Sequence, residues 1–580
     1  MKQIVFIFCC LFSFYIWAQE NTEDTDAPLS FESFNSEEAS AESADTDSQN
    51  DDFGFGSFDH QGDSAEDAEK NFKISFGGAL YAGGRLFFND FKKFKDFHPG
   101  SLVWGNLHIR AEAPLTQAYF GVDLSDQTLP INLGYKPKIF PPKPQIPNFI
   151  EQAYMQLSVG PVVFGGGIKK LTWGRADAMS VLDVINPQDY SDMSVLDFEK
   201  LKIARPMFYL TSYLPHDMRL EAVFLPVFEG DRFALTGRWA PVQLTEKTSV
   251  ESLLSTENLA KIKEIKDQML NPLNMLPPGL KGLIPESILH DISAPIGNAS
   301  LPKIETDKIP DIIMDSVFSD LEKKTSTIKY AQGGIRYTAT INGAHDLGFQ
   351  YYYGRWHRPA MKMDIDKINA TIKKYTDLLK RVLDPLAKKE EKEKAIEELK
   401  TIKFPTDAIG FDYNPYHQIG IDYGTTVGPV NLRAEFAANI TYDIKGNDPS
   451  VYNPSLAWNF GLDYTTPFGM MLNGTVVENI RLMQKKTNEN KFDIEKGTNA
   501  TNTKIVFVID QTLLRDSLHL KLNTVVGIED ADFMICPAVS WQFGTLLVDC
   551  SLGFFGGKKT GELGQYRGNH YIKASIGYVF

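Results

Sequence analysis

The chain has 580 residues, 43% of them hydrophobic, with a formal net charge of −15. Its mean hydropathy of −0.22 excludes a bundle of membrane helices, each of which would need about 20 consecutive apolar residues. No basic stripe stands out, so nucleic-acid binding is not expected.

The first 18 residues, MKQIVFIFCCLFSFYIWA, carry one Lys, an apolar run from Ile4 to Trp17 and a small residue at Ala18. They read as a signal peptide cleaved after Ala18, which implies export. Residues 19–70 then form an acidic leader. From 20 to 70 there are 17 acidic residues and one Lys, a net −16 that accounts for essentially the whole charge of the chain. Low hydrophobicity with high net charge predicts disorder. The embedded FESF and DDFGFGSFD could dock on a periplasmic partner or on the pore mouth, although a solvated leader is the plainer reading.

From residue 71 the pattern changes to period-two alternation, the signature of half-buried strands. Phe72, Ile74, Phe76, Gly78 and Leu80 share one face; Ala118, Phe120, Val122 and Leu124 share another, and Ile419, Ile421 and Tyr423 a third. Short connections such as Val159-Gly160-Pro161 and Val427-Gly428-Pro429 alternate with long polar loops such as 443–452 and 483–500. Short turns on one side and long loops on the other are what a transmembrane barrel requires. The expected architecture for 71–580 is therefore all-β, a transmembrane antiparallel β-barrel of about 18 strands, with 16 as the alternative count.

One stretch breaks the alternation: LTWGRADAMSVLDVINPQDYSDM, residues 171–193. It is too polar for lipid, yet Trp173, Val181, Leu182 and Ile185 need burial. A loop over 172–203 folded into the lumen meets both demands. It would place Trp173, Arg175, Asp177, Asp183, Asn186, Asp189 and Asp192, with Arg205 on the following strand, at a charged constriction. The same residues could instead only lock the loop in place, and the sequence weighs both equally. Two further insertions, 241–326 and 359–412, show helical spacing and charged faces, and strand parity puts both outside the cell. Pro385 should end one helix and leave KKEEKEKAIEELK as another.

No P-loop, G-x-S-x-G, dinucleotide fingerprint or zinc spacing occurs among these residues. No enzyme activity, cofactor or metal is expected. Cys536 and Cys550 flank a turn near Phe543-Gly544 and are candidates for a disulfide across adjacent strands, with the reduced pair equally open. The chain ends HYIKASIGYVF, with Ile572, Ala574, Ile576, Tyr578 and Phe580 on one face. This terminal strand, above all Ile576, Tyr578 and Phe580, resembles the assembly signal of bacterial outer-membrane barrels, and the resemblance implies outer-membrane lipid and the barrel-assembly machinery as partners.

A second resemblance covers about 80 residues. WGRAD…VLDVINPQDYSD, then ARPM and LEAVFLPVFEGDRF, is similar to a motif series in a poorly characterised family of Gram-negative outer-membrane barrels, and more loosely to spirochaetal barrels. Trp173, Gly174, Asp177, Asp183, Asn186, Pro187, Asp189, Arg205, Pro206, Pro226, Phe228 and Arg232 match it. The resemblance implies a porin-like or transporter role without a named solute. The expected function is an outer-membrane channel for passive passage of small solutes. The alternatives are a transporter for hydrophobic substrates such as fatty acids, and an adhesin that uses the helical insertions. Oligomeric state is not legible.

Overall fold

The computed structural model describes residues 72–89, 100–126, 137–141, 147–195, 197–241, 320–364, parts of 366–401, 408–489 and 493–580. The signal peptide, the acidic leader and residues 242–319 of the first insertion lie outside them.

Eighteen strands form one closed antiparallel sheet. They are β1 (Lys73–Phe87), β2 (Val103–Ala113), β3 (Thr116–Ser125), β4 (Ile150–Val159), β5 (Val162–Lys169) and β6 (Arg205–Leu214). β7 (Met218–Leu225), β8 (Gln332–Ile341), β9 (His345–Arg355), β10 (Pro415–Val427), β11 (Val430–Thr441) and β12 (Ser455–Thr465) follow. β13 (Met470–Arg481), β14 (Thr501–Leu513), β15 (Leu518–Gly527), β16 (Asp532–Phe543), β17 (Leu546–Gly556) and β18 (Tyr571–Val579) complete the wall. Closure is made by β1 and β18, from Ala79↔Val579 to Phe87↔Tyr571. The terminal residue extends the pairing: Phe580 and Gly78 exchange backbone hydrogen bonds of 2.9 and 3.0 Å. A closed sheet leaves no unpaired edge, which is what lipid demands of strands.

Eight turns of two to four residues occupy the end where β1 begins and β18 finishes, and nine loops occupy the other. Along β10, Ile419 and Ile421 are 50% and 43% exposed while Gln418 and Asp422 are 1% exposed. The wall is therefore apolar outside and polar inside, the alternation that a lipid-facing barrel needs. Aromatic residues stand at both rims of the outer face, Tyr351 and Tyr353 beside His417 at the loop end, Trp541 against Phe543 and Tyr578 against Phe580 at the turn end.

The disulfide expectation needs correction. The β16–β17 turn is Gly544-Thr545, with Phe543 opposite Leu546. That register puts Cys550 opposite Val539 rather than Cys536. Cys536 is buried and Cys550 exposed, and both are free thiols. The two point to opposite faces of the wall because side chains in a strand alternate.

The second insertion differs from its helical expectation at its base. Ala360–Met363 and Ile409–Asp412 pair as a short antiparallel ribbon, and a helix runs from Lys389 to Thr401. At the loop end a three-stranded sheet joins Ile139–Phe140, Arg232–Ala234 and Asp189–Tyr190. It ties the β3–β4, β5–β6 and β7–β8 loops together.

Candidate functional site

The 35 residues between β5 and β6 carry the motif, and their hold begins at their two ends. Asn186 accepts the N–H of Leu171 at 2.9 Å and donates to the carbonyls of Lys169 (3.3 Å) and Ile203 (2.8 Å). Ile203 N–H in turn donates to the Pro187 carbonyl at 2.8 Å. One amide side chain thus pins the outgoing and returning chain together. Behind it, Lys202 binds Asp183 at 2.7 Å and Glu199 and Thr172 at 2.6 Å. Arg205 is fully buried; it donates to the carbonyls of Ile185 and Val227 and lies over the Phe228 ring.

The apolar side of the segment packs in two places. Trp173, Leu171 and Ile185 join Met207, Tyr209, Val223, Leu225 and Tyr352 on the near wall, with Trp173 edge-on to Tyr352. Ala178, with Met179, Met193 and Phe198, joins a cluster with Val506, Val525, Cys536, Phe555 and Tyr571 on β14 to β18. Both sets of wall residues sit on the inward phase, so the segment reaches across the interior.

Polar contacts fix its middle. The Glu435 carboxylate on β11 accepts four donors: the N–H groups of Arg175 (2.6 Å), Ala176 (2.8 Å) and Val181 (2.9 Å), and the Ser180 hydroxyl (2.8 Å). Gly174 makes this approach possible. Its φ is +105°, and a Cβ there would stand 2.6 Å from Glu435 Oε1. The Arg175 side chain binds Asp422 at 2.6 Å and Asp346 at 3.2 Å, and Asp422 also holds Arg336 at 2.9 Å. Gln350 and Gln418 donate to the carbonyls of Leu182 and Val181, and Asn459 to those of Ala178 and Met179. On the far side Asp192 takes a two-oxygen hydrogen bond from Arg85 on β1, at 2.6 and 2.8 Å.

The eight sequence-flagged residues therefore separate into two kinds. Trp173, Asn186 and Arg205 are buried, and the side chains of Arg175 and Asp183 are 9% and 11% exposed; each of these five holds segment or wall. Asp177, Asp189 and Asp192 keep 48%, 33% and 37% of their side-chain surface open. Asp177 pairs with Arg433 and accepts from Asn473 at 2.9 Å, and Asp189 lies 3.8 Å from Arg232. The sequence reading missed Glu435, Asp422, Arg85 and Arg433. Their only signal is a charged side chain on the inward phase of an otherwise apolar-alternating strand, as in LRAEFAAN.

At the loop end a second group of charged residues gathers. Burial pushes the Asp231 carboxyl up to about 6, although it accepts the Gln188 N–H at 2.9 Å. His357, 3.8 Å from Asp231, is driven down to about 3 by burial and by the neighbouring Arg205 charge. Lys504 at 2.8 Å, with Arg358 beyond it, holds Glu562 down to about 2. Tyr566 and Asn569 reach across to the carbonyls of Trp239 and Arg238.

The fold and site define a class, an 18-stranded antiparallel barrel with one loop folded across its interior. No family model matches the chain, and no curated protein sequence does. Among solved structures it is similar to Wzi of Escherichia coli, a carbohydrate-binding outer-membrane barrel involved in group 1 capsule assembly. There identity is 8% over 88% of this chain and 85% of that one, with a TM-score of 0.39. It is also similar to Pseudomonas aeruginosa OccK11, at 6% identity over 89% and 96% and a TM-score of 0.37. Salmonella typhi OmpF gives 6% over 89% and 99%, at 0.35.

Proposed function

We propose that this protein is an outer-membrane channel for passive passage of small solutes, in which residues 172–203 narrow the lumen. The apolar outer band with aromatic rims fits a lipid bilayer, and the short-turn end would face the periplasm. One observation carries the reading. Among the described residues, the hydrogen bonds and apolar clusters of 172–203 fall on β1 and on β5 to β18, whereas β2 to β4 meet the charge of Lys200 at Asp123 and the root of the loop. There Lys170 approaches Glu151 at 4.0 Å and its N–H donates to Gln152. The inward side chains of β2 to β4, such as His108, Arg110, Tyr119 and Tyr154, stay half-buried and leave one side of the lumen to solutes. Selection there would follow from the width of the passage and the open carboxylates of Asp177, Asp189 and Asp192. The fixed barrel and fixed loop call for no energy source, catalyst or cofactor.

Purified protein in liposomes tests this by osmotic swelling. Swelling is expected with pentoses and small amino acids and should fall off with solute size. Liposomes that stay impermeable to all of them, with the protein folded and inserted, would remove the channel reading.

A further inference from the structure

Residues 226–238 join Leu225, the last residue of β7, to Trp239 on the far side of the barrel. The Trp239 ring packs against Phe87, Phe555 and Tyr571, at the loop ends of β1, β17 and β18, with centroids 5.5 to 6.1 Å away. Counted round the sheet, β17 is ten strands from β7 one way and eight the other. The three wall rings are buried on the inward phase, so Trp239 meets them from inside and the segment crosses the mouth. Midway, Arg232–Ala234 is the central strand of the three-stranded sheet. One of its edges takes Asp189–Tyr190 of the 172–203 loop. The other takes Ile139–Phe140 of the β3–β4 connection, which rises from the open wall.

The near part of this strap is held by its backbone, the far part by side chains. Arg232 N–H donates to the Gln188 carbonyl at 2.9 Å and Leu235 N–H to that of Lys138 at 2.7 Å. The Lys138 N–H in turn donates to the Thr236 hydroxyl at 2.9 Å. Gly237 then turns the chain at a φ of +90°, which a side chain would strain. Beyond it, the Tyr566 hydroxyl and the Asn569 amide donate to the carbonyls of Trp239 and Arg238, and Arg238 lies over the Phe87 ring at 4.6 Å. Trp239 is 4% exposed, and Tyr566 at 5.6 Å completes its nest. Its indole N–H, however, is buried with no hydrogen-bond partner among the described residues. A buried donor without an acceptor offsets part of the gain from burying the ring. The nest thus grips by shape and carries a standing cost that release would relieve. It also reaches the constriction loop. Arg85 lies over the Trp239 ring at 5.3 Å while binding Asp192 at 2.6 Å, and Ala178, Met179 and Met193 share the apolar cluster.

From this arrangement we propose that residues 226–241 are a gate, a strap latched across the mouth by Trp239. Withdrawal of the ring frees the far end to swing about Gly237 and opens the mouth beside β1 and β18, next to the open wall. Because Arg85 serves both Trp239 and Asp192, release also loosens the far hold on residues 172–203. The gate rests on the channel reading for its effect, but the latch is detected apart from it. The test compares full-length wild type, Trp239→Ala, Trp239→Phe and Asn569→Ala, each confirmed as a folded barrel by heat-modifiable gel mobility. Limited trypsin digestion in detergent, followed by mass spectrometry, reads release as cleavage after Arg238. Single-channel recording in a planar bilayer reads passage. Trp239→Ala should speed that cleavage at least fivefold and raise the time-averaged current at least twofold. Asn569→Ala should move both in the same direction by less. Trp239→Phe, which keeps a ring and drops the unpartnered N–H, should be cleaved no faster than wild type. Cleavage unmoved in both alanine variants would overturn the latch, and faster cleavage with unchanged current would overturn the gate; conductance of the wild type would keep the channel in either case. Faster cleavage with no conductance from any of the four proteins would uphold the latch and remove the channel.

Discussion

The Glu435 carboxylate on β11 accepts the backbone N–H of Arg175 at 2.6 Å, and three further donors from the same loop converge on it. A wall residue thereby sets the conformation of a segment some 260 positions earlier in the chain. Buried carboxylates are costly unless every lone pair is used, and here the loop supplies the donors. Glu435→Gln turns an acceptor into a half-donor against N–H groups that cannot reorient. The expected loss is about 2 kcal/mol or more, read as a lower thermal midpoint in detergent and as new tryptic cleavage after Arg175.

Asn186 closes the loop at its base, and its chemistry is specific. Asn186→Ala leaves the Leu171 N–H and the Lys169 and Ile203 carbonyls without their side-chain partner, at about 1 kcal/mol or more for each buried group. Asn186→Asp should be worse, because it cannot donate and adds a charge. A thermal series ordered wild type, Ala, Asp is expected. Aspartate equal to wild type would contradict the assigned bonds.

Arg85 and Asp192 join the far end of the loop to β1 at the seam where the barrel closes. Asp192→Asn strands a guanidinium that is 7% exposed, for a loss of about 2 kcal/mol after allowing for water at the aspartate. Arg85→Met with Asp192→Leu should recover part of that loss. A double-mutant cycle in denaturant is expected to give a coupling of about 1 kcal/mol or more.

The mouth has two buried groups with opposite pH responses. Asp231, raised to about 6, favours the folded state below its ordinary 3.8, and this contribution is lost as pH rises through 6. His357, lowered to about 3, contributes fully above its ordinary 6.5, and that is lost as pH falls through 3. Between pH 4 and 6 the slopes oppose each other. Thermal midpoints should be nearly flat for wild type, rise with pH for Asp231→Asn, and fall with pH for His357→Asn.

Cys536 and Cys550 should show no reduction-dependent gel shift. In liposomes a membrane-soluble maleimide should label Cys550, whose side chain is on the outward face, while Cys536 stays protected until the barrel is denatured.

The barrel was legible because its constraint is local. Each lipid-facing strand repeats every second residue, and Ile572 through Phe580 show this as plainly as Ile419 through Tyr423. The tight turns at Gly160-Pro161 and Gly428-Pro429 were readable from backbone chemistry alone. Registers were not: one turn centred at 543 instead of between 544 and 545 moved Cys536 away from Cys550. The loop motif itself was visible, but its partners were not, since Glu435, Asp422 and Arg85 come from strands far away in sequence. Nothing local in LRAEFAAN says that Glu435 will meet residues 175–181.

The most direct test of the channel is the reversal potential of single channels in a planar bilayer under a salt gradient. It is measured for wild type and for Asp177→Asn with Asp189→Asn, whose side chains face water and leave the Glu435 and Asn186 braces intact. Wild type should show ohmic single-channel steps, and the double variant should conduct with a reversal potential shifted toward anion preference. A folded, inserted wild type with no conductance, or a reversal potential identical in both proteins, would contradict a lumen narrowed by residues 172–203.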